Sequence, residues 1–157
     1  MNNLIPIVKV INNLIIIYCL SRVLCNILLI RFNLQYHGHD LIRIRNVINT
    51  FALEPETLII KFKPIESSTI LAPVLGSYEP ETKTITIDSR VVRGKRMLMK
   101  VLLHEIAHFN QDVQGRLALT TEKVNIITYW FRPEEIEARG FARAWRSKAL
   151  KIYNSVI

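Results

Sequence analysis

Cysteine is nearly missing from this chain of 157 residues, where only Cys19 and Cys25 occur, both in one apolar run. Their six-residue spacing excludes a disulfide framework and a CxxC metal or redox motif, and implies buried free thiols in a reducing compartment. No small-residue cleavage site of the A-x-A kind accompanies the apolar N-terminus, which argues against a cleaved secretory signal. Internal repeats and low-complexity tracts are also lacking, so the length points to one domain with an appended segment. Acidic residues are scarce: 13 Asp and Glu against 21 Lys and Arg give a formal charge of +8 and a pI near 9.8. That balance suits anionic surroundings such as nucleic acid, a membrane face or an acidic partner, without choosing among them. Trp130, Phe131 and Trp145 show no stacking pattern of the single-strand-binding kind.

The appended segment covers residues 1–32. Within it Val10 to Ile30, "VINNLIIIYCLSRVLCNILLI", is almost wholly apolar and about as long as a bilayer-spanning helix. Arg22 lies near its middle, where a charge costs roughly 3 kcal/mol on insertion scales. Three readings stay open: a membrane anchor or interfacial helix, a helix packed on the domain, or a start codon placed too early.

Residues 33–157 read as an α+β unit. Asp40 is an expected N-cap for a helix with Leu41, Ile44, Ile48 and Phe51 at helical spacing, ending at Pro55. Three strand-like runs follow: Leu58–Phe62, Thr69–Tyr78 interrupted by Pro73, and Thr82–Asp88 with Ile85 and Ile87 on one face. "EPET", Glu79 to Thr82, is the expected turn between the last two. A small, mostly antiparallel sheet is anticipated. After Gly94 a long helix opens, and after a poorly patterned connection Pro133 starts a final helix reaching about Tyr153.

The first of these long helices carries "HEIAH", His104 to His108. Histidines at i and i+4 lie one above the other, so their imidazoles can converge on one ion, and neutral imidazole suits zinc. Glu105, about 100° further round, flanks that ion and can move a proton from the attacking water to a leaving amine. A chance HExxH in this composition has a probability on the order of one in a hundred.

A third ligand has to come from elsewhere. No histidine follows His108, and Gln111 and Gln114 stand where a three-histidine motif needs Gly and His. His37 and His39 are expected on the surface. In the final helix, steps of three and four from Glu135 give Ala138, Ala142, Trp145, Ala149 and Ile152, an apolar stripe that points Glu135 toward the core. The same steps from Glu134 or Glu137 bring in Lys148. Glu135 is therefore the first candidate and Glu137 the second.

"HEIAH" followed by a helix with "EIEARGFA" resembles the compact gluzincin-type HExxH metallopeptidases, most closely the family of the IrrE and ImmA regulators. The resemblance covers roughly Asp40 to Lys148, with Glu135, Glu137, Ala138, Phe141 and Ala142 matching the family form ExEANxFA. It implies a minimal zincin-like domain in which His104, His108 and Glu135 bind one Zn2+ and Glu105 is the general base. Arg139 departs from the pattern: the family has Asn or Asp there, able to accept a hydrogen bond from a ligating histidine, and a guanidinium has no acceptor.

These observations imply a zinc metallopeptidase acting on a protein or peptide substrate, and the resemblance implies one regulator rather than bulk peptides as that substrate. The "TKTITID" strand is expected to be an edge that pairs with extended substrate. Tyr78, Tyr129 and Arg132 are the candidate oxyanion donors. Two other classes are an inactive module that keeps the fold, and a basic membrane- or nucleic-acid-associated protein with an accidental HExxH. The basic clusters Arg90–Arg96 and Arg139–Lys151 are expected to be solvated helix faces. The expected location is cytoplasmic, or membrane-associated if residues 1–32 insert.

Overall fold

The computed structural model describes residues 38–66, 74–90, 92, 94–117 and 129–155. The expectations for residues 1–32, for Cys19 and Cys25, and for the side chains of His37 and His39 fall outside them. The described elements are α1 (Gly38–Phe51), β1 (Ile59–Lys63), β2 (Gly76–Glu79), β3 (Thr84–Asp88), α2 (Lys95–Val113) and α3 (Pro133–Ser155). Among the described residues the architecture is α+β, three helices with a small three-stranded sheet. No helix among the described residues is long and apolar enough to cross a membrane.

The apolar spacing that predicted α1 buries Ile44, Val47 and Ile48, while Leu41 is exposed. Asp40 is not a cap: it lies inside the first turn and accepts a 2.5 Å hydrogen bond from the Tyr153 hydroxyl, tying α1 to the far end of α3. The other end of α1 is closed by Asn110 of α2, whose amide donates to Phe51 O at 2.9 Å and accepts from Leu53 N. Phe51 then stacks edge-on against Phe141 of α3.

The sheet is mixed, which corrects the expectation of a mostly antiparallel one. Its order is β1-β3-β2, with β1 parallel and β2 antiparallel to β3. Loop length is the reason. Only four residues, Pro80 to Lys83, join β2 to β3, with Lys83 at φ 46° completing a tight reversal. The connection from β1 to β2 is long enough to pass β3, and that leaves β1 free to pair in parallel. Asp88 anchors this crossover from a fully buried position at the end of β3. Its carboxylate accepts from Arg90 N, from the Arg90 guanidinium and from Ile65 N, while Arg90 Nη2 also donates to Ile65 O. Burial pushes the Asp88 carboxyl up, but these hydrogen bonds prevail and hold it below its ordinary value. Arg90, expected on a solvated basic face, is thus part of the fold.

Two further corrections bear on function. Of the run at Thr69–Tyr78, Val74 and Leu75 lie outside a strand and Gly76 to Tyr78 belong to β2, while residues 67–73 fall outside the described residues. β3 is the central strand, not an edge. Ile85 and Ile87 are wholly buried, and the edge role passes to β2.

Leu98, Met99, Leu102, Leu103, Ile106 and Phe109 bury one side of α2 in the core. The helix ends in a Schellman turn: Arg116 N bonds Gln111 O, Gly115 N bonds Asp112 O, and Gly115 takes φ 66°. Along α3, Ala138, Ala142 and Ala149 are buried as the stripe predicted, and their small side chains let α3 approach α2 closely. Trp145 departs from that stripe, 41% exposed at its edge.

Candidate metal centre

Helix register and one close helix pair build the site. His104 and His108, one turn apart on α2, turn their Nε2 atoms toward each other at 3.2 Å. Glu135, in the first turn of α3, brings Oε2 to 3.4 Å from His104 Nε2 and Oε1 to 3.3 Å from His108 Nε2. Ligands at about 2.0–2.1 Å from zinc in tetrahedral geometry are separated from one another by about 3.3 Å. The three side chains already stand at that separation, and they form a group able to hold a metal ion. The donor set, two imidazoles and one carboxylate, fits zinc with a fourth position left open.

Protonation follows from the surroundings. His108 Nδ1 lies 3.0 Å from Gln111 Oε1, and Gln111 Nε2 donates to Glu134 O at 3.1 Å. The second bond fixes the amide orientation, so Gln111 presents its oxygen to His108. With an ion bound, His108 would keep its proton on Nδ1, facing Gln111 Oε1, and turn its Nε2 lone pair to the metal, as a ligand must. Burial pushes the Glu135 carboxyl up, but hydrogen bonds from His104, His108 and Tyr129 prevail and hold it well below the carboxylate range. Burial opposes charge on His108, yet the Glu135 carboxylate raises its pKa overall. Two imidazole Nε2 atoms and one carboxylate converge on one point, an arrangement that a cation can satisfy.

Glu105 is buried beside this group. Burial pushes its carboxyl up and the neighbouring Glu135 adds to that, while His104 and His108 pull the other way. Gly76 of β2 packs directly on it: a Cβ built at position 76 would lie 2.6 Å from Val101 Cγ1 and 2.9 Å from Glu105 Oε1. Only glycine leaves Glu105 its place.

A cleft of about 480 Å³ opens over His104, Glu105, His108 and Glu135, walled by Gly76, Ser77 and Tyr78 of β2 and by Tyr129 and Arg132. The Tyr78 hydroxyl donates to Asp112 at 2.6 Å. The Tyr129 hydroxyl donates to Glu135, and burial with that carboxylate raises its pKa.

Glu137, the second candidate for third ligand, is drawn elsewhere: Arg116 grips it with two bonds of 2.9 and 3.0 Å on the surface. Among the described residues Arg139 makes no hydrogen bond to a histidine. Its guanidinium lies 3.7 Å from Glu135 Oε2, stacks over Trp130 and donates to Trp130 O. The role of orienting a histidine, which Arg139 cannot fill, falls to Gln111. The i, i+3 spacing of His108 and Gln111 carried a signal for this contact. Gly76 carried none, because its neighbour is far along the chain. Gln111→Leu is expected to lower zinc affinity about 10- to 100-fold. Competition with a chromophoric chelator measures that, and unchanged affinity would remove Gln111 from the account.

Comparison of the chain with protein-family models, curated proteins and solved structures gives no match.

Proposed function

We propose that this chain is a zinc-dependent metallopeptidase that hydrolyses a peptide bond in a protein substrate. The observation that carries the reading is the separation of 3.2 to 3.4 Å among His104 Nε2, His108 Nε2 and the Glu135 carboxylate, with Glu105 at their flank. The HExxH spacing and the resemblance to the IrrE/ImmA-like gluzincins support it, and the helix order α1, sheet, α2, α3 agrees with that resemblance.

His104, His108 and Glu135 would hold the ion. When bound, zinc supplies a Lewis acid for the scissile carbonyl and lowers the pKa of water toward about 7. Glu105 takes the proton of the attacking water and passes it to the departing amine. The outer edge of β2, which pairs with no other strand than β3 among the described residues and lies beside Glu105, offers backbone groups to an extended substrate, a role expected of β3 from the sequence. Of the three candidate oxyanion donors, Tyr78 and Tyr129 give their hydroxyls to carboxylates. Arg132 makes no salt bridge with a described residue and is the donor of choice.

The test is cleavage of a mixed peptide library by zinc-loaded protein beside its Glu105→Gln variant. Products made by the first and absent with the second support the reading. Equal cleavage by both, or none by either, contradicts it.

A further inference from the structure

One side of α3 takes no part in the cleft or the core. Steps of three and four from Ile136 give Gly140, Arg143, Ser147 and Lys151, which share one side of the helix and are all exposed. From Gly140 to Ser155 the helix holds Arg143, Arg146, Lys148 and Lys151 and no carboxylate. Arg143, Arg146 and Lys151 make no salt bridge with any described residue. At the N-terminal end of the same helix, Trp130, Phe131 and Ile136 are 54%, 74% and 53% exposed. Arg139, one turn from Ile136, stacks on the Trp130 ring at 4.9 Å and edges the apolar group with charge.

A single exposed apolar side chain is ordinary, but two consecutive aromatics beside an exposed isoleucine and a row of unopposed cations are a combined feature. Aromatic rings favour the headgroup level of a bilayer, and cations near an anionic leaflet gain from its surface potential. We propose that this face of α3 docks on an anionic lipid bilayer. Trp130, Phe131 and Ile136 enter the interface, and Arg143, Arg146 and Lys151 meet the phosphates.

The chain supplies a second reason to choose lipid. Its own apolar run, Val10 to Ile30, interrupted by Arg22, is a marginal membrane signal by itself. Stable anchoring commonly takes two weak signals, and a basic aromatic face is a suitable second one. A nucleic acid would use the cations but leave Phe131 and Ile136 in water. Tyr129 and Arg132 adjoin Trp130 and Phe131 in the chain and wall the cleft. Docking therefore sets the mouth of the cleft at the headgroups, and, resting on the peptidase reading, the substrate is a membrane-protein segment close to the bilayer surface.

The chain has two tryptophans, so Trp145→Phe leaves Trp130 as the only tryptophan, excited selectively at the red edge where tyrosine does not absorb. Full-length, zinc-loaded protein with this substitution is titrated with phosphatidylcholine vesicles with and without phosphatidylserine. Expected are a blue shift of Trp130 on the anionic vesicles and quenching by brominated lipid. Reversing Arg143, Arg146 and Lys151 to Glu is expected to weaken that binding by at least about tenfold, with the circular dichroism unchanged. Three outcomes would overturn the proposal: no shift of Trp130 on anionic vesicles, an equal shift without phosphatidylserine, or a larger shift with short duplex DNA at equal phosphate. None of these readouts needs a substrate, so loss of the peptidase reading would leave the docking result standing.

Discussion

Glu105→Gln is expected to lower peptide hydrolysis about 10²- to 10⁴-fold, the range for removing a positioned general base. The substitution keeps the size and shape of the side chain, which lies buried against Gly76 and Val101. An amide cannot take up a proton at neutral pH, so the attacking water loses its base while the ligand group of His104, His108 and Glu135 is unchanged. Zinc content and melting temperature should therefore match the wild type. Rates measured under saturating substrate separate this from weaker binding: the loss falls on kcat, with KM little changed. A variant that still cleaves at the wild-type rate would take Glu105 out of the chemistry.

Gly76→Ala is expected to reduce kcat by about 10²-fold, because a displacement near 1 Å of a catalytic group is enough for such a loss. The added methyl would sit 2.6 Å from Val101 Cγ1, which cannot swing away as a long side chain could, and 2.9 Å from Glu105 Oε1. Either Glu105 rotates off its position or β2 lifts from α2. In both cases the three ligands on α2 and α3 stay in place, so zinc binding is retained. Activity and zinc content measured on the same preparation check this. Full activity would show that β2 yields at no cost to Glu105, and loss of zinc would show that the strand also supports the ligands.

Much of this arrangement is legible in the sequence, for reasons of periodicity. The i, i+4 spacing of His104 and His108 is a property of any helix, and the alanines beyond Glu135 mark the face of α3 that meets α2. The position of Glu135 rather than Glu137 at the histidines follows from the same counting. Strand order is different, because periodicity says which residues face the core but not which strand lies in the middle. β3 occupies the centre through pairings with β1 and β2 that depend on the crossover held by Asp88 and Arg90. Asp40 was legible as a helix-start residue, yet its partner, Tyr153, is 113 positions away and invisible to local rules. Gly76 belongs to the same class, since its meaning lies in what packs on it.

The central claim is that His104, His108 and Glu135 hold one zinc ion, and metal content per chain tests it most directly. Full-length protein, purified without chelators and checked for folding by circular dichroism, is compared with Glu135→Ala and Glu137→Ala by elemental analysis. The account predicts about one zinc in the wild type and in Glu137→Ala, whose side chain serves Arg116 on the surface, and loss of zinc in Glu135→Ala. A folded wild type without zinc, or zinc retained by Glu135→Ala and lost by Glu137→Ala, would contradict it.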